Sequence, residues 1–333
     1  MYLKTATILA LLPVLYFLLV FIADSLLTAV VATFALSQAF VLVGLNIMHD
    51  GNHGSYSGSR KINRIMGFAL DLIGGSSLVW RHKHNILHHT YTNIHEVDED
   101  LHTSGFLRLS PNQSRRPWHR FQNLYAFLLY GFLTVSWVTI TDFRRFFSGR
   151  IFSYKLPTSP ANWALLVLSK GIYFGYMIVL PLFFHPLPYV IIAFLGIHFF
   201  QGVTLSLVFQ LAHAMEKNDF PIPDAESNTV GKEWAVHEVE TTVNFALSNR
   251  FATWYLGGLN FQIEHHLFPK VCHVHYPAIS NIVKETCAEF AVTYVEYPSI
   301  SSALASHYRH LRHLGKREVR RGDGELPMRN TVS

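Results

Sequence analysis

Histidine is the residue type with the clearest capacity for chemistry in this sequence, and its positions are clustered. The chain has 20 histidines among 333 residues. Residues 49–53 read HDGNH, residues 80–89 read WRHKHNILHH, and residues 262–266 read QIEHH. His213 and His237 stand between the second and third clusters. Imidazole is a good ligand for iron, zinc, copper and nickel, so the clusters indicate a metal site.

The spacing inside the clusters favours a shared site. His49 and His53 are four residues apart, as are His84 and His88, and residues at that spacing are neighbours on a helix surface. His89 adds a further imidazole to the second cluster. Buried imidazoles without a metal would leave nitrogens unpaired, at a cost of about 1–3 kcal/mol each. Because seven to nine clustered histidines exceed what one tetrahedral zinc needs, we predict two metal ions.

The elements that must hold these histidines belong to a membrane protein. Hydrophobic residues make up 50% of the chain and charged residues only 15%, against about 25% charged residues in a typical soluble domain. Cys272 and Cys287 form no CxxC pair, which argues against a disulfide framework or a thiolate metal site. We therefore expect one membrane-integrated domain over residues 1–296.

A membrane-crossing helix needs about 20 apolar residues, and four stretches of this sequence have that character. They are Ala6–Ala23, Leu26–Met48, Trp163–Phe184 and Tyr189–Ala212. Very short connectors separate the first from the second and the third from the fourth. The predicted fold is an all-α membrane protein with four transmembrane helices in two hairpins, together with interfacial helices and a cytoplasmic helical cap that bears the histidines.

Two further apolar stretches, Gly67–Trp80 and Leu124–Ile140, are ambiguous. The first is too short to cross a membrane. If the histidine clusters share one site, they lie on one side of the membrane, and an even number of crossings separates them. The second hairpin already supplies two crossings, so we predict that Leu124–Ile140 is interfacial or re-entrant.

Basic residues near the C-terminus set the expected orientation of the chain, whose net charge is +5. They are Arg309, Arg312, Lys316, Arg317, Arg320 and Arg321. The positive-inside rule places this segment, and with it the histidine clusters, on the cytoplasmic side. No aromatic side chains interleave with the cations as stacking platforms, which argues against a nucleic-acid partner. We predict that residues 297–333 form a basic, loosely ordered cytoplasmic tail.

The HDGNH, HNILHH and QIEHH boxes resemble those of the membrane fatty acid desaturase superfamily, in the same order and with the same long gap before the third box. The resemblance covers Phe40 to Ile282. It implies two non-haem iron ions that activate O2 and remove hydrogen from a methylene pair of a fatty acyl chain. The ligands that the three boxes imply are His49, His53, His84, His88, His89, His265 and His266. His213 and His237 are added by their positions.

Gln262 occupies a position that is histidine in many desaturases, and glutamine there resembles the front-end class. That class inserts a double bond between an existing one and the carboxyl end of a lipid-linked or CoA-linked acyl chain. The chain has no HPGG motif of a fused haem domain; the nearest match, at 185–188, lies between two spans. We therefore expect electrons from a separate ferredoxin, or from a cytochrome with its reductase, and membrane lipid around the protein.

Groups that support the ligands are expected close to them in sequence. A metal-bound histidine usually donates its second ring N–H to a carboxylate or carbonyl. The supporting residues that we predict are Asp50, Asn93, Asn244, Gln262 and Glu264. Further carboxylates lie near the boxes at Asp98, Asp100 and Glu238.

Two alternative functions stay open at this point. Hydroxylases, acetylenases and ketolases of the same superfamily use similar boxes, and nothing in the sequence excludes transfer of oxygen to the substrate. A membrane metal carrier or receptor with a histidine-rich zinc site is the second alternative. Carriers usually place ionisable ligands at the membrane midplane, whereas these clusters stand at span ends and in polar segments.

Overall fold

The computed structural model describes residues 1–316. Within those residues, four helices are long and apolar enough to cross a membrane. In chain order, and named spans 1 to 4, they are Tyr2–Ile22, Leu26–His53, Pro160–Leu182 and Leu187–His213. The prediction of four transmembrane helices in two hairpins is confirmed, and the predicted ends differ from the observed ends by only a few residues.

Local sequence signals fix the turn of each hairpin. At the first turn, the Ser25 hydroxyl accepts from the backbone N–H of Thr28 at 3.2 Å, and the Thr28 hydroxyl accepts from the N–H of Ser25 at 3.0 Å. This reciprocal capping box starts span 2. At the second turn, Pro186 lies immediately before span 4 and cannot continue the preceding helix. Spans 2 and 4 therefore both return to the side from which spans 1 and 3 started.

A bent pair of helices, Pro117–Tyr130 and Leu133–Ser148, lies between the two hairpins in sequence, and its axes meet at 65°. The bend packs against span 4. A Cβ at Gly202 would lie 2.6 Å from the carbonyl oxygen of Tyr130, so only glycine allows the two backbones to come this close.

The bent pair reaches deep beside span 4. The Thr134 hydroxyl donates to the carbonyl oxygen of His198 at 2.8 Å. His198 is 15 residues before His213 in the helix Leu187–His213, which is about 22 Å at 1.5 Å per residue. The pair is therefore not a flat interfacial helix but penetrates the layer that the spans cross.

A buried ion pair fixes the second half of the bent pair to span 3. The Lys170 ammonium donates to an Asp142 carboxylate oxygen at 2.7 Å and to the carbonyl oxygen of Val138 at 3.0 Å. Lys170 is 3% exposed and Asp142 fully buried, and a charge in such a place requires a partner of this kind.

The remaining described residues form short helices, small sheets and loops. The short helices are Arg60–Gly67, Ala69–Leu72, Ser77–Trp80, Arg81–His88, Trp234–Thr241, Arg250–Tyr255, Gln262–Leu267, Tyr276–Glu289 and Ile300–Gly315. Single 3₁₀ turns stand at Glu99–Leu101 and His273–His275. Arg150–Ile151 pairs antiparallel with Tyr154–Lys155, and Asn244–Phe245 pairs in parallel with Glu296–Tyr297.

The prediction of a loosely ordered tail is wrong for the first part of that segment. Ile300–Gly315 is a helix that begins with a capping box between Ser299 and Ser302. One face of this helix is buried against the helix Pro117–Tyr130 and its surroundings, through Ala303, His307, His310, Leu311 and Leu314. Exposed basic residues and buried histidines together interrupt the apolar pattern of this segment in the sequence. Residues 317–333 lie outside the described part of the chain.

Candidate metal centre

The histidine clusters stand on four different elements. His49 and His53 occupy the last turn of span 2, which ends at Gly54 in the left-handed conformation with φ of +76°. His213 is the last residue of span 4. The second cluster lies on the helix Arg81–His88, and the third on the short helix Gln262–Leu267. These elements converge, so that imidazoles from all four face one another.

The second cluster is wound as a π-helix. The N–H of His89 donates to the carbonyl oxygen of His84 at 3.0 Å, a bond that closes over five residues. The wider turn places the His84 ring 5.1 Å from His88 and 4.7 Å from His89, measured between ring centroids. The i, i+4 spacing predicts an α-helical face for His84 and His88, with His89 as a further neighbour. The π-helix makes both later histidines neighbours of His84, and such segments are frequent at functional sites.

Two groups of imidazoles could each hold one metal ion. Ring nitrogens of His49, His53, His84 and His265 all lie within 4.8 Å of one another. We call these four residues the first group. His88, His213 and His266 form the second group on the same criterion.

His89 joins the two groups. Its ring nitrogens lie within 4.8 Å of those of His265 and His266, which belong to different groups. The seven box histidines and His213 are therefore brought together. Among the described residues, His237 is buried but belongs to none of these groups, and neither of its ring nitrogens has a hydrogen-bond partner there. Its assignment as a ligand stays a prediction.

Unpaired ring nitrogens show that the groups fit metal ions. Buried nitrogens without any hydrogen-bond partner include both of His49 and the Nε2 atoms of His53, His265 and His266. Each such atom carries a desolvation cost of about 1–3 kcal/mol if nothing binds it. A native protein rarely leaves several of them in one place. A donor set made of imidazoles suits iron, zinc, copper or nickel.

Supporting residues hold Nδ1 atoms and so leave Nε2 atoms directed inward. Both carboxylate oxygens of Asp98 lie 3.1 Å from Nδ1 of His88. An oxygen of Glu238 lies 2.7 Å from Nδ1 of His266. The hydroxyl of Tyr276 lies 3.1 Å from Nδ1 of His265. This is the arrangement by which outer groups fix the tautomer and the ring orientation of metal-bound histidines.

Burial keeps most histidines of the centre neutral, and carboxylates next to them add negative charge. Burial lowers the pKa of His84, His89, His265 and His266 well below the ordinary value of histidine. Burial also opposes protonation of His88, but the Asp98 and Asp100 carboxylates outweigh it and raise the pKa of His88 to about 9. Their negative charge, which favours a cation at His88, equally favours a metal ion.

The predicted supporting asparagines are structural links. The Asn93 amide donates to the carbonyl oxygens of His213, Asp219 and Thr241 at 3.0, 3.1 and 3.1 Å, which ties the end of span 4 to the cap. Asn93 itself adopts a left-handed conformation with φ of 61°. The Asn244 side chain accepts from the N–H of Ile263 at 2.9 Å and thus fixes the start of the third box.

Glu264 and Gln262 point in different directions from the third box. Glu264 accepts from the Asn244 amide at 2.8 Å and from the Tyr294 hydroxyl at 2.9 Å, so it serves packing behind the box. Gln262 is 2% exposed, and its side chain is close enough to His213 to influence the pKa of that ring. It therefore lies beside the second group.

Some residues at the centre carried no signal in the sequence. Tyr276 is ten residues beyond the third box, at the start of a helix, and only the fold brings it to His265. The Trp80 ring stacks on His84 at 4.2 Å between centroids, with 27° between the planes. His273 contacts Asp50 with 2.8 Å between Nδ1 and a carboxylate oxygen. A histidine pattern in the sequence identifies candidate ligands, but it does not identify the residues that contact and support those ligands.

The meeting of the clusters decides the topology of the bent pair. The second cluster precedes this pair in sequence, and His213 follows both it and the second hairpin. The ring centroids of His88 and His213 are only 4.6 Å apart. Spans 3 and 4 together return the chain to its starting side, so a further crossing would separate these two rings. The bent pair therefore enters and leaves on the same side.

Comparison with known proteins identifies the family. The model described as fatty acid desaturase matches residues 24–298. The sn-1 linoleoyl-lipid 6-desaturase of Synechocystis sp. is 40% identical over 283 residues, 84% of this chain and 79% of that protein. The enzyme of the same name from Arthrospira platensis is 37% identical over 315 residues, 94% of this chain and 85% of that protein.

A plant relative extends the same similarity. The acyl-lipid (8-3)-desaturase of Physcomitrium patens is 39% identical over 312 residues, which is 92% of this chain and 64% of that protein. All three relatives are named as desaturases, which does not favour the hydroxylase, ketolase or metal-carrier alternatives. The chain belongs to the fatty acid desaturase family, and it is an oxidoreductase that desaturates fatty acyl chains.

Proposed function

We propose that the protein is a front-end acyl-lipid desaturase that uses O2 and two iron ions. It inserts a double bond between an existing double bond and the carboxyl end of a fatty acyl chain held in a membrane lipid. The observation that carries this proposal is Gln262, buried beside the second group of histidines at the position that resembles the front-end class. The printed names of the relatives, a linoleoyl-lipid 6-desaturase and an acyl-lipid (8-3)-desaturase, support the same substrate class.

The two histidine groups would each hold one iron ion. His49, His53, His84 and His265 would hold the first, and His88, His213 and His266 the second, with His89 between them. When bound, the two irons would supply the activation of O2 and the oxidising power that removal of hydrogen from a methylene pair requires. The part of the protein is to turn the imidazoles correctly, which the Nδ1 contacts accomplish. Burial keeps His84, His89, His265 and His266 neutral by lowering their pKa values.

An apolar wall beneath the first group suits the acyl chain. Ile47, Met48 and Trp80 belong to the hydrophobic core between the spans, and the Trp80 ring lies 5.6 Å from that of His49. A hydrocarbon chain entering from the membrane can lie against this wall with its methylenes facing the histidines. Burial of the chain there excludes water and holds the reacting carbons in place.

We further propose that the centre faces the cytoplasm and receives electrons from a separate ferredoxin or cytochrome. The short helix that follows span 2 carries Arg60, Lys61 and Arg64 and no acidic residue. A cationic segment immediately beyond a span is typical of the cytoplasmic side. A cationic surface near the centre also suits an acidic redox partner.

Lipid analysis of a host that makes linoleate tests the reaction. Fatty acids are released from each lipid class and identified by gas chromatography and mass spectrometry, with and without the protein. The expected product lacks two hydrogen atoms and carries its new double bond on the carboxyl side of the existing ones. A product that has gained an oxygen atom, or a double bond on the methyl side, contradicts the proposal. His265→Ala provides the inactive control.

Metal analysis of purified protein tests the cofactor separately. Two irons per chain are expected. Stoichiometric zinc in the absence of iron, in a preparation that retains desaturase activity, contradicts the assignment of iron.

A further inference from the structure

Asp50 lies beneath the first histidine group and is 1% exposed. Its carboxylate oxygen Oδ2 accepts from the thiol of Cys272 at 3.2 Å, from the backbone N–H of His273 at 3.4 Å and from Nδ1 of His273 at 2.8 Å. The other oxygen, Oδ1, has no hydrogen-bond partner and lies 3.7 Å from Nδ1 of His49. The carboxylate is thus held by one oxygen and presents the other to a histidine of the first group.

A second layer fixes the tautomer of His273. The ammonium of Lys4, in the first turn of span 1, lies 3.3 Å from Nε2 of His273 and donates to the carbonyl oxygen of Trp254 at 2.7 Å. Lysine ammonium can only donate, so Nε2 of His273 accepts. The proton of the neutral ring is then on Nδ1, where it is donated to Asp50. One tautomer therefore satisfies both contacts.

Asp50, Cys272 and His273 could also be considered as three ligands of a further metal ion, since their ligand atoms lie within 4.8 Å of one another. The surroundings argue against this. The Cys272 thiol already donates its proton to Asp50 at 3.2 Å. The Lys4 ammonium occupies the open side of His273 with a positive charge. The cluster is therefore a hydrogen-bond network.

We propose that Asp50, His273 and Lys4 form a chain of positioning residues that turns the His49 ring, so that Nδ1 donates to Asp50 and Nε2 is directed to the metal of the first group. The proposal deepens the proposed function and rests on its two-iron centre. Two distant segments would then support one ligand, His49. They are the first turn of span 1 and the segment after the third box, where His273 lies 223 residues from Asp50 in sequence. The second group has its own supports, Asp98 and Glu238, and does not share this chain.

Substitutions at His273 separate the two contacts of its ring. Asparagine places its amide nitrogen where Nδ1 of histidine stands, so His273→Asn keeps a donor to Asp50 and loses the contact with Lys4. His273→Leu loses both contacts. The matched control is His275→Leu, because His275 lies two residues further on and its ring is exposed.

Each variant is purified with ⁵⁷Fe, and iron per chain, the Mössbauer spectrum and desaturase activity are measured together. In His273→Leu we expect a change in the signal of one iron and not of the other, with activity or iron affinity lowered about 10-fold or more. His273→Asn should restore most of the wild-type spectrum, Lys4→Met should give the same change as His273→Leu in weaker form, and His275→Leu should match wild type.

Three results would overturn the proposal: an unchanged spectrum in His273→Leu, equal changes at both irons, or an equal change in His275→Leu. Equal changes would indicate general loss of structure, which a melting curve of each variant measures independently. Failure of the proposed function looks different, because wild-type protein would then lack two irons at the outset.

Discussion

The Nε2 atoms of His84 and His89 face each other at 3.2 Å inside the buried centre. One proton between them gives a hydrogen bond, but Nδ1 of His89 is also buried and has no partner. If both rings are neutral and share one proton, Nδ1 of His89 therefore still has no partner among the described residues. Metal ions remove this conflict, because each accepts an electron pair from a deprotonated nitrogen.

Removal of the metal is therefore expected to destabilise the protein. A ligand at about 100 times its dissociation constant stabilises the folded state by about 2.7 kcal/mol. In a protein of this size that corresponds to a fall in melting temperature of about 4 °C after chelation. Intrinsic fluorescence of the detergent-solubilised protein during heating measures it. Restored iron should restore the melting temperature, and an unchanged curve would contradict a structural contribution of the metal.

Substitutions within the second cluster should distinguish ligands from neighbours. His84→Ala removes a member of the first group, and we expect iron to fall from two per chain towards one. His82→Ala is the matched control, because His82 is half-buried, lies outside the groups and contacts the carbonyl oxygen of Leu78 at 2.8 Å. Elemental analysis of both variants provides the comparison. Equal iron loss in the two would mean that the cluster supports structure and not metal.

Asp98→Asn tests the support of His88. The asparagine keeps the shape but removes the negative charge and one of the two oxygens that face Nδ1 at 3.1 Å. Loss of such a partner typically lowers metal affinity or activity 10–100-fold, and we expect an effect of about that size. Activity at saturating substrate and an iron titration measure the two quantities. Asp224→Asn, on the exposed surface, should behave like wild type.

The crossing of the bent pair with span 4 provides a test of packing. A side chain at Gly202 would collide with the backbone at Tyr130 and Gly131, where atoms would stand 2.6–3.0 Å from its Cβ. We expect Gly202→Val to lower stability by about 1–3 kcal/mol or more, as overpacking does. At Gly171 on span 3, no atom of residues 1–316 lies within 4 Å of an added Cβ. Gly171→Val should therefore melt like wild type, and equal melting of both variants would contradict the close crossing.

The C-terminal helix should make stability depend on pH. Burial lowers the pKa of His310 to about 4, while in the unfolded chain it is about 6.5. Between those values the unfolded state binds more protons, so the contribution is complete above about pH 6.5 and is lost as the pH falls towards 4. The loss from this one group is about 2 kcal/mol at about pH 5.

His310→Phe keeps an aromatic ring against Phe220, which stacks on His310 at 5.4 Å. The variant loses the hydrogen bond with the carbonyl oxygen of Leu109, so its melting temperature is lower throughout. Its melting temperature should nevertheless fall less steeply than that of wild type between about pH 7 and 5. His313→Phe, at an exposed position of the same helix, should keep the wild-type slope. A wild-type slope in His310→Phe would contradict the assignment.

The spans and the histidine boxes could be predicted because each signal is local. A run of about 20 apolar residues is enough to predict a membrane-spanning helix, and the spacing of His49 and His53 is enough to place both on one helix face. The topology also followed, since it needed only the condition that the boxes meet. Ser25 and Pro186 are local signals of the same kind, because each marks the start of the span that follows it.

Other features depend on contacts between distant segments and could not be predicted. The π-helix at Arg81–His88 packs against the last turn of span 2 and against Glu99–Leu101, contacts that its local sequence does not reveal, whereas i, i+4 spacing alone favours an α-helix. Lys4 and His273 each have ordinary sequence surroundings, and only packing of span 1 against the cap brings them together. The helix Ile300–Gly315 could not be predicted because two of the five large or apolar side chains on its inner face, His307 and His310, are histidines, which count as polar in a hydropathy pattern.

The candidate ligands are spread along most of the chain, so the centre can form only after most of the chain has been synthesised. His49 and His266 are separated by 217 residues, and translation at about 5–20 residues per second needs about 10–40 s to span them. Through that interval the hairpin that carries the first box is already made, while its partners are not yet synthesised. Metal loading is consequently a late event in biogenesis, and nascent chains stalled before the third box should leave the ribosome without iron.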